Sequence, residues 1–254
     1  MKTLIKKITF AIPGIEFLWV RLRAKPPRFS GWQMTTNAAF PSDGDFMDAH
    51  IHLLKMVLGG KFRLSQFEFE GRNLEKRLNE LMWRHYIVFW AARYAPLGNF
   101  VECGACDGLT AYFALSARQG AAYLYDAWEA MKDEDLLESE KKHAGDYGYL
   151  SLEMTRKNLG MFAERVNLIK GFIPQSFVST PGNVSLLHID LNSSAPTTAS
   201  LKEFYDKILP GGIILFDDYG WRGYEATKYA VDEFFYKKRG FFPLPTGQAI
   251  YFKS

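Results

Sequence analysis

Cysteine is nearly missing from this chain: Cys103 and Cys106 are the only two in 254 residues, too few for a disulfide framework and suited to a reducing compartment such as the cytoplasm. An excess of one charge is missing too. The 31 basic and 28 acidic residues leave a formal net charge of +3 and, apart from the N-terminus, are interspersed rather than blocked, which argues against a nucleic-acid partner. Internal repeats and low-complexity tracts are absent, which removes solenoids and long linkers. No apolar run is long enough to span a membrane. The nearest approach, Ile8 to Val20, is interrupted by Pro13, Gly14 and Glu16 and closed by Arg21, Arg23 and Lys25. Lys2, Lys6 and Lys7 before it loosely imitate a signal peptide, but no small-residue cleavage site follows. The expectation is an N-terminal packing helix, with contact to an anionic membrane surface as the other reading.

What is present is ordinary globular material, 48% hydrophobic, 23% charged and 16% aromatic, in a chain long enough to bury one large core. Pro26, Pro27 and a polar stretch from Phe29 to Asp45 read as loop. Apolar residues then recur at helical spacing over Asp48 to Leu58 and Asn73 to Tyr94. These helices are expected to form a cap region over residues 1–97, ahead of an α/β domain over residues 98–254.

After Gly98 short apolar runs alternate with amphipathic stretches. Strands are expected at Asn99 to Cys103, Ala121 to Asp126, Val166 to Lys170, Val184 to Asp190 and Gly212 to Asp217, with Ala249 to Phe252 as an edge strand. Helices are expected at Leu109 to Arg118, Ser151 to Phe162, Ala199 to Ile208 and Tyr224 to Arg239. Strands alternating with helices predict a Rossmann-like, doubly wound, mostly parallel α/β sheet.

Three places carry chemistry. Glu102-Cys-Gly104-Ala-Cys-Asp-Gly108 places an acid at a strand end and two glycines before a helix start, so the chain turns tightly and a ligand can approach its backbone. Nucleotide-binding turns usually carry a third glycine, and S-adenosylmethionine, which has no phosphate, suits this turn better. Glu102 is then a candidate for the methionine amino group, with Gly104 and Gly108 along that portion. Asp126 ends the next strand, where an acid accepts ribose hydroxyls; the other reading is a helix N-cap. Asp190, Asp217 and Asp218 follow apolar strands at the ligand-binding edge and would repel one another without a cation between them, which suits Mg²⁺ or another divalent ion; loop capping is the alternative. His188 shares a face with Asp190 by the two-residue strand period, as catalytic group or buried histidine. Cys103 and Cys106 also form a Cys-x-x-Cys pair, but without a second pair a redox or zinc role is the lesser reading. Trp221, Arg222 and Tyr224 are candidates for an acceptor pocket or a packing lid.

Phe100-Val-Glu-Cys-Gly-Ala-Cys-Asp-Gly108, Asp126-Ala127-Trp128, Arg165-Val-Asn-Leu-Ile-Lys-Gly-Phe172, Leu187-His-Ile-Asp190 and Leu209-Pro-Gly-Gly-Ile-Ile-Leu-Phe-Asp-Asp-Tyr219 together resemble the macrocin O-methyltransferase family, metal-dependent class I methyltransferases of sugar hydroxyls. The resemblance runs over roughly residues 99–240. It implies a cofactor site of Glu102, Gly104, Asp126 and Ala127, with Gly171 and Phe172 at the adenine end. It also implies metal ligation by Asp190, Asp217 and Asp218, and Met34 and Thr35 loosely resemble the family's cofactor-covering segment. Where the family carries a second acid after His-Ile-Asp, this chain has Asn192, which cannot accept a proton. Asp190 is therefore the leading candidate for general base and His188 the second. A small-molecule acceptor bearing a sugar and a homo-oligomeric assembly are the expected partners. Two rivals remain: a non-catalytic scaffold of the same fold, and a nicotinamide-dependent oxidoreductase, against which the missing glycine speaks.

Overall fold

The computed structural model describes residues 43–254. Met34, Thr35, the expected N-terminal helix and most of the expected Phe29 to Asp45 loop lie outside the described residues.

Five apolar runs pair side by side as parallel strands: β1 (Asn99–Cys103), β2 (Ala122–Asp126), β3 (Val166–Lys170), β4 (Val184–Ile189) and β5 (Ile208–Phe216). With β6 (Phe241–Pro243) and β7 (Ala249–Phe252) they form one seven-stranded sheet in the order β3-β2-β1-β4-β5-β7-β6. All residues of β4 are buried, as a central parallel strand covered by helices on both faces requires. The order reverses between β1 and β4, and at such a switch point the loops leaving the strands diverge and open a crevice.

Alternation along the strands divides the core in two. Phe100, Leu186, Ile213 and Leu215 face one layer of helices, while Val101, Leu187, Ile214 and Phe216 face the other. The first layer contains α1 (Gly44–Leu58), α2 (Ser65–Phe69), α3 (Leu74–Glu80), α4 (Met82–Tyr94), α5 (Leu109–Ala117) and α6 (Leu152–Asn158); the second contains α7 (Ser194–Phe204) and α8 (Glu225–Phe234). Helix α5 is buried almost all round, with Phe113 between Phe46 of α1 and His85 of α4.

Several expectations change. The helix expected over Tyr224 to Arg239 ends at Phe234, and the strand expected from Gly212 already begins at Ile208, so the preceding helix stops at Phe204. The helix expected over Asn73 to Tyr94 is two helices meeting at Leu81. The one expected over Ser151 to Phe162 ends at Asn158 and passes into a 3₁₀ turn over Gly160–Arg165. The helix after β4 begins at Ser194, because Pro196 falls in its first turn, where a missing N–H removes no helical bond. Finally, β7 is not an edge strand: it runs antiparallel between β5 and β6, and the true edge is β6, which Pro243 suits.

Candidate active site

The crevice at the switch point is a cavity of about 660 Å³, within the range of sites for small organic ligands. Its walls come from the ends of β1, β2, β4 and β5, from α3 and α4, and from the long connection after β2.

The turn after β1 forms the first wall. Gly104 adopts φ of +93°, and a β-carbon there would lie 2.7 Å from the Asp190 carbonyl carbon and closer still to its oxygen. Only glycine lets the β1 and β4 ends approach this far. Cys106, at φ of +48°, is clamped from both sides. Its N–H donates to Asp126 Oδ2 (2.8 Å), and its carbonyl accepts from Trp128 Nε1 (3.0 Å) and Thr155 Oγ1 (2.6 Å). Asp107 anchors the helical layer to the same turn by accepting from the Ser65 backbone N–H (2.6 Å) and hydroxyl (2.9 Å) at the start of α2. Cys106, Tyr147 (φ +66°) and Asn192 (φ +57°) all line the cavity. Left-handed backbone at non-glycine residues is uncommon, and it collects here, where such strain is characteristic of functional sites.

Asp126, Ala127, Gly171 and Phe172 line the same wall region. No helix follows Asp126, so it caps a turn instead: Oδ1 accepts from the Trp128 N–H (2.6 Å) and Oδ2 from Cys106. Each oxygen keeps lone pairs for a ligand. Burial, the largest influence, raises its carboxyl against these backbone bonds. Lys132 lies over the Phe172 ring (4.4 Å), so that ring is covered on one side by a cation.

Asp190 and Asp218 lie on the cavity, and with Asp217 they offer carboxylate oxygens all within 4.8 Å of one another. Asp217 is buried and ion-paired with Arg84, and its Oδ1 accepts from Gln248 Nε2 (3.1 Å). Burial followed by repulsion from Asp190 raises the Asp218 carboxyl well above its ordinary range, and its Oδ2 has no hydrogen-bond partner. An orphaned oxygen beside two further carboxylates is what a divalent cation would satisfy, so these residues fit such an ion.

Glu102, His188 and Gly108 do not line the cavity. Gly108, at φ of +81°, caps α5 against Leu159. Glu102 and His188 stand opposite each other in the β1/β4 register, both buried, with Glu102 Oε1 3.0 Å from His188 Nδ1. His188 Nε2 lies 3.8 Å from Asp217 Oδ1. The pair is thus a layer beneath the acidic group, touching it from behind. Cys103 and Cys106 belong to opposite layers, and burial pushes the Cys103 thiol up to about 12, which removes the thiolate that redox or zinc chemistry needs.

Burial drives both members of that pair to their neutral forms: Glu102 is raised well above 4.5 and His188 lowered from 6.5 to about 4. The consequences for stability oppose each other. Between pH 6.5 and 4 the unfolded imidazole binds protons that the folded one refuses, so His188 makes stability fall with falling pH; Glu102, which stays protonated in the fold, makes it fall as pH rises above 4.5. The wild type should therefore show a shallow profile. Glu102→Gln should uncover a loss of about 2 kcal/mol between pH 7 and pH 5, and His188→Gln a loss in the alkaline direction, both read by urea unfolding. Identical profiles in all three proteins would refute the neutral pair.

Several lining residues carry no sequence signal. Arg77, Arg84 and Gln66 come from the cap helices, and Met131, Leu136 and Tyr147 from the connection after β2. That connection is locked to the start of α7 by Glu140, a buried acid accepting from the Ser194 N–H (2.7 Å). Trp221 and Tyr224 line the cavity and Arg222 does not.

Residues 101–219, which carry this site except for the cap helices and for Trp221 and Tyr224, match the model of a methyltransferase-domain family. Match and fold agree on a methyltransferase domain over this stretch. Its sheet and helices superpose on solved methyltransferases. The O-methyltransferase NovP is 20% identical at a TM-score of 0.60, covering 68% of this chain and 80% of its own. The calicheamicin methyltransferase CalS11 is 15% identical at a TM-score of 0.54, covering 84% and 94%. The S-adenosylhomocysteine-bound methyltransferase PaMTH1 of Podospora anserina is 12% identical at 0.51, covering 87% and 92%. No curated protein matches the sequence. Among the described residues no helix is long and apolar enough to cross a membrane.

Proposed function

We propose that this chain methylates a hydroxyl of a sugar or another polar small molecule and uses a divalent cation to do so. The observation that carries the reading is that one cavity is lined both by Asp126, Gly171 and Phe172 and by Asp190, Asp217 and Asp218. The first group suits a nucleoside and the second a cation beside an acceptor hydroxyl. NovP is described as an O-methyltransferase, and CalS11 as a TDP-rhamnose 3′-O-methyltransferase, which supports a hydroxyl acceptor.

The sulfonium of S-adenosylmethionine supplies an electrophilic methyl group, so the protein's part is proximity, orientation and removal of one proton. Asp126 would hold the ribose hydroxyls, and the Phe172 ring would face the adenine. Asp190 and Asp218 would hold the cation together with Asp217. Asp190 would accept the proton of the acceptor hydroxyl as the new carbon–oxygen bond forms. Tyr147, Trp221 and Tyr224 would flank the acceptor, giving aromatic surface on which a sugar ring can stack. His188 and Glu102 would act from behind, by fixing the carboxylates rather than by touching either substrate. Asn192 leaves Asp190 as the base at the end of β4.

Calorimetric titration with S-adenosylhomocysteine, with and without Mg²⁺ and with NAD as control, tests the reading. Binding of the homocysteine product alone, strengthened or followed by Mg²⁺ binding, is the expected result. Preference for NAD would overturn the donor, and failure of Mg²⁺ to bind at any stage would remove the cation. A protein that binds the product yet methylates no hydroxyl acceptor would be a scaffold.

A further inference from the structure

The cation that already sits at the acidic group is Arg84. It projects from α4, whose position is fixed by the stacking of His85 on Phe113 at 4.5 Å. Its guanidinium is ion-paired with Asp217, and its Nε lies 3.2 Å from Asp217 Oδ1. Trp221 covers it, the ring centroid 5.9 Å from Cζ. Asp217 Oδ1 also accepts from Gln248. Of the three carboxylates within reach of one ion, Asp217 is therefore already engaged by a fixed positive charge, whereas Asp218 keeps an unpartnered oxygen.

We propose that Arg84 is a built-in competitor for the divalent cation: it holds Asp217, confines the ion to Asp190 and Asp218, and must be displaced before Asp217 can join them. The inference rests on the cation reading above. A guanidinium stays charged at every relevant pH and cannot yield by losing a proton, so an ion beside it pays repulsion until the side chain moves. There is room for that movement. A second pocket of about 120 Å³ lies against the main cavity, and Arg84, Gly104, Asp190 and Asp217 line both. Asn192 strengthens the effect, because a neutral side chain on the cavity adds no charge to draw the ion in. The expected outcome is a cation held weakly, with its affinity set by an element of the helical layer rather than by the sheet.

The test is Mn²⁺ binding, followed by the paramagnetic resonance signal of the free ion, to chelator-treated full-length wild type, Arg84→Met and Arg84→Lys. Arg84→Met should bind Mn²⁺ about ten-fold or more tightly than wild type, and Arg84→Lys, which keeps the charge, should stay near wild type. Arg84→Gln serves in place of Arg84→Met should the latter fail to fold, as judged by near-ultraviolet circular dichroism and S-adenosylhomocysteine binding. Equal Mn²⁺ affinity in wild type and the neutral variants, or weaker binding in those variants, would overturn the inference while leaving the cation reading standing. Absence of Mn²⁺ binding in all of them would end both.

Discussion

Gly104→Ala should abolish binding of S-adenosylhomocysteine and destabilise the fold. Two costs combine. At φ of +93° a side chain forces the backbone into a conformation that costs about 1–3 kcal/mol, and the new β-carbon meets the Asp190 carbonyl, which cannot give way. Asp190 is held by its own N–H, which donates to the Cys103 carbonyl (2.8 Å), so the obstacle is the joined ends of β1 and β4 rather than a movable side chain. Relief requires the turn to move outward into the cavity, carrying Cys106 away from Asp126. Urea unfolding and product calorimetry measure the two effects separately. A variant that bound the product as tightly as wild type would show that the β1 turn does not form part of the cofactor wall.

The second large effect is expected at Asp190→Asn. The replacement keeps the shape of the side chain and the backbone bond to the Cys103 carbonyl, so product binding and stability should be retained. What it removes is the only proton acceptor on the β4 side of the cavity, since position 192 is already an amide. Turnover with a hydroxyl acceptor should drop by roughly 10²–10⁴-fold, the usual contribution of a positioned general base. Mn²⁺ binding should weaken in parallel, because one anionic ligand is lost. Full turnover in Asp190→Asn would remove both roles at once. Loss of turnover with unchanged Mn²⁺ affinity would assign Asp190 to proton transfer alone.

The strands were legible because each apolar run is short and ends at an acid or a glycine, and those ends turned out to be the cavity walls. Asp126, Asp190 and Asp218 could be placed for that reason. Glu102 and His188 were misplaced by one layer, because both lie inside their strands rather than past them, and the two-residue alternation turns them under the helices. Their opposition depends on the β1/β4 register, which no local pattern announces. Arg84 was invisible for a different reason: a basic residue on an amphipathic helix usually points to solvent, and only the packing of α4 on α5 brings it to Asp217. The connection over residues 127–150 has neither helical nor strand periodicity, so its contribution of Met131, Leu136 and Tyr147 to the cavity had no local cue. Tertiary contact decides all three cases.

The antiparallel strand β7 also governs when the site can exist during synthesis. Gln248, fully buried just before β7, is held by its contact with the Thr246 hydroxyl (3.0 Å) and in turn donates to Asp217. The Gly220 N–H, two residues after the acidic pair, donates to the Gly247 carbonyl (2.7 Å). A ribosome delivers β1, β4 and β5 well before this stretch, and domains settle as their segments emerge. Until residues 246–252 have appeared, β5 is an open apolar edge, a liability for pairing with other chains, and Asp217 lacks one of the two groups that orient it. The cluster of Asp190, Asp217 and Asp218 is thus completed only after residues 246–252 have emerged, although its members were made earlier.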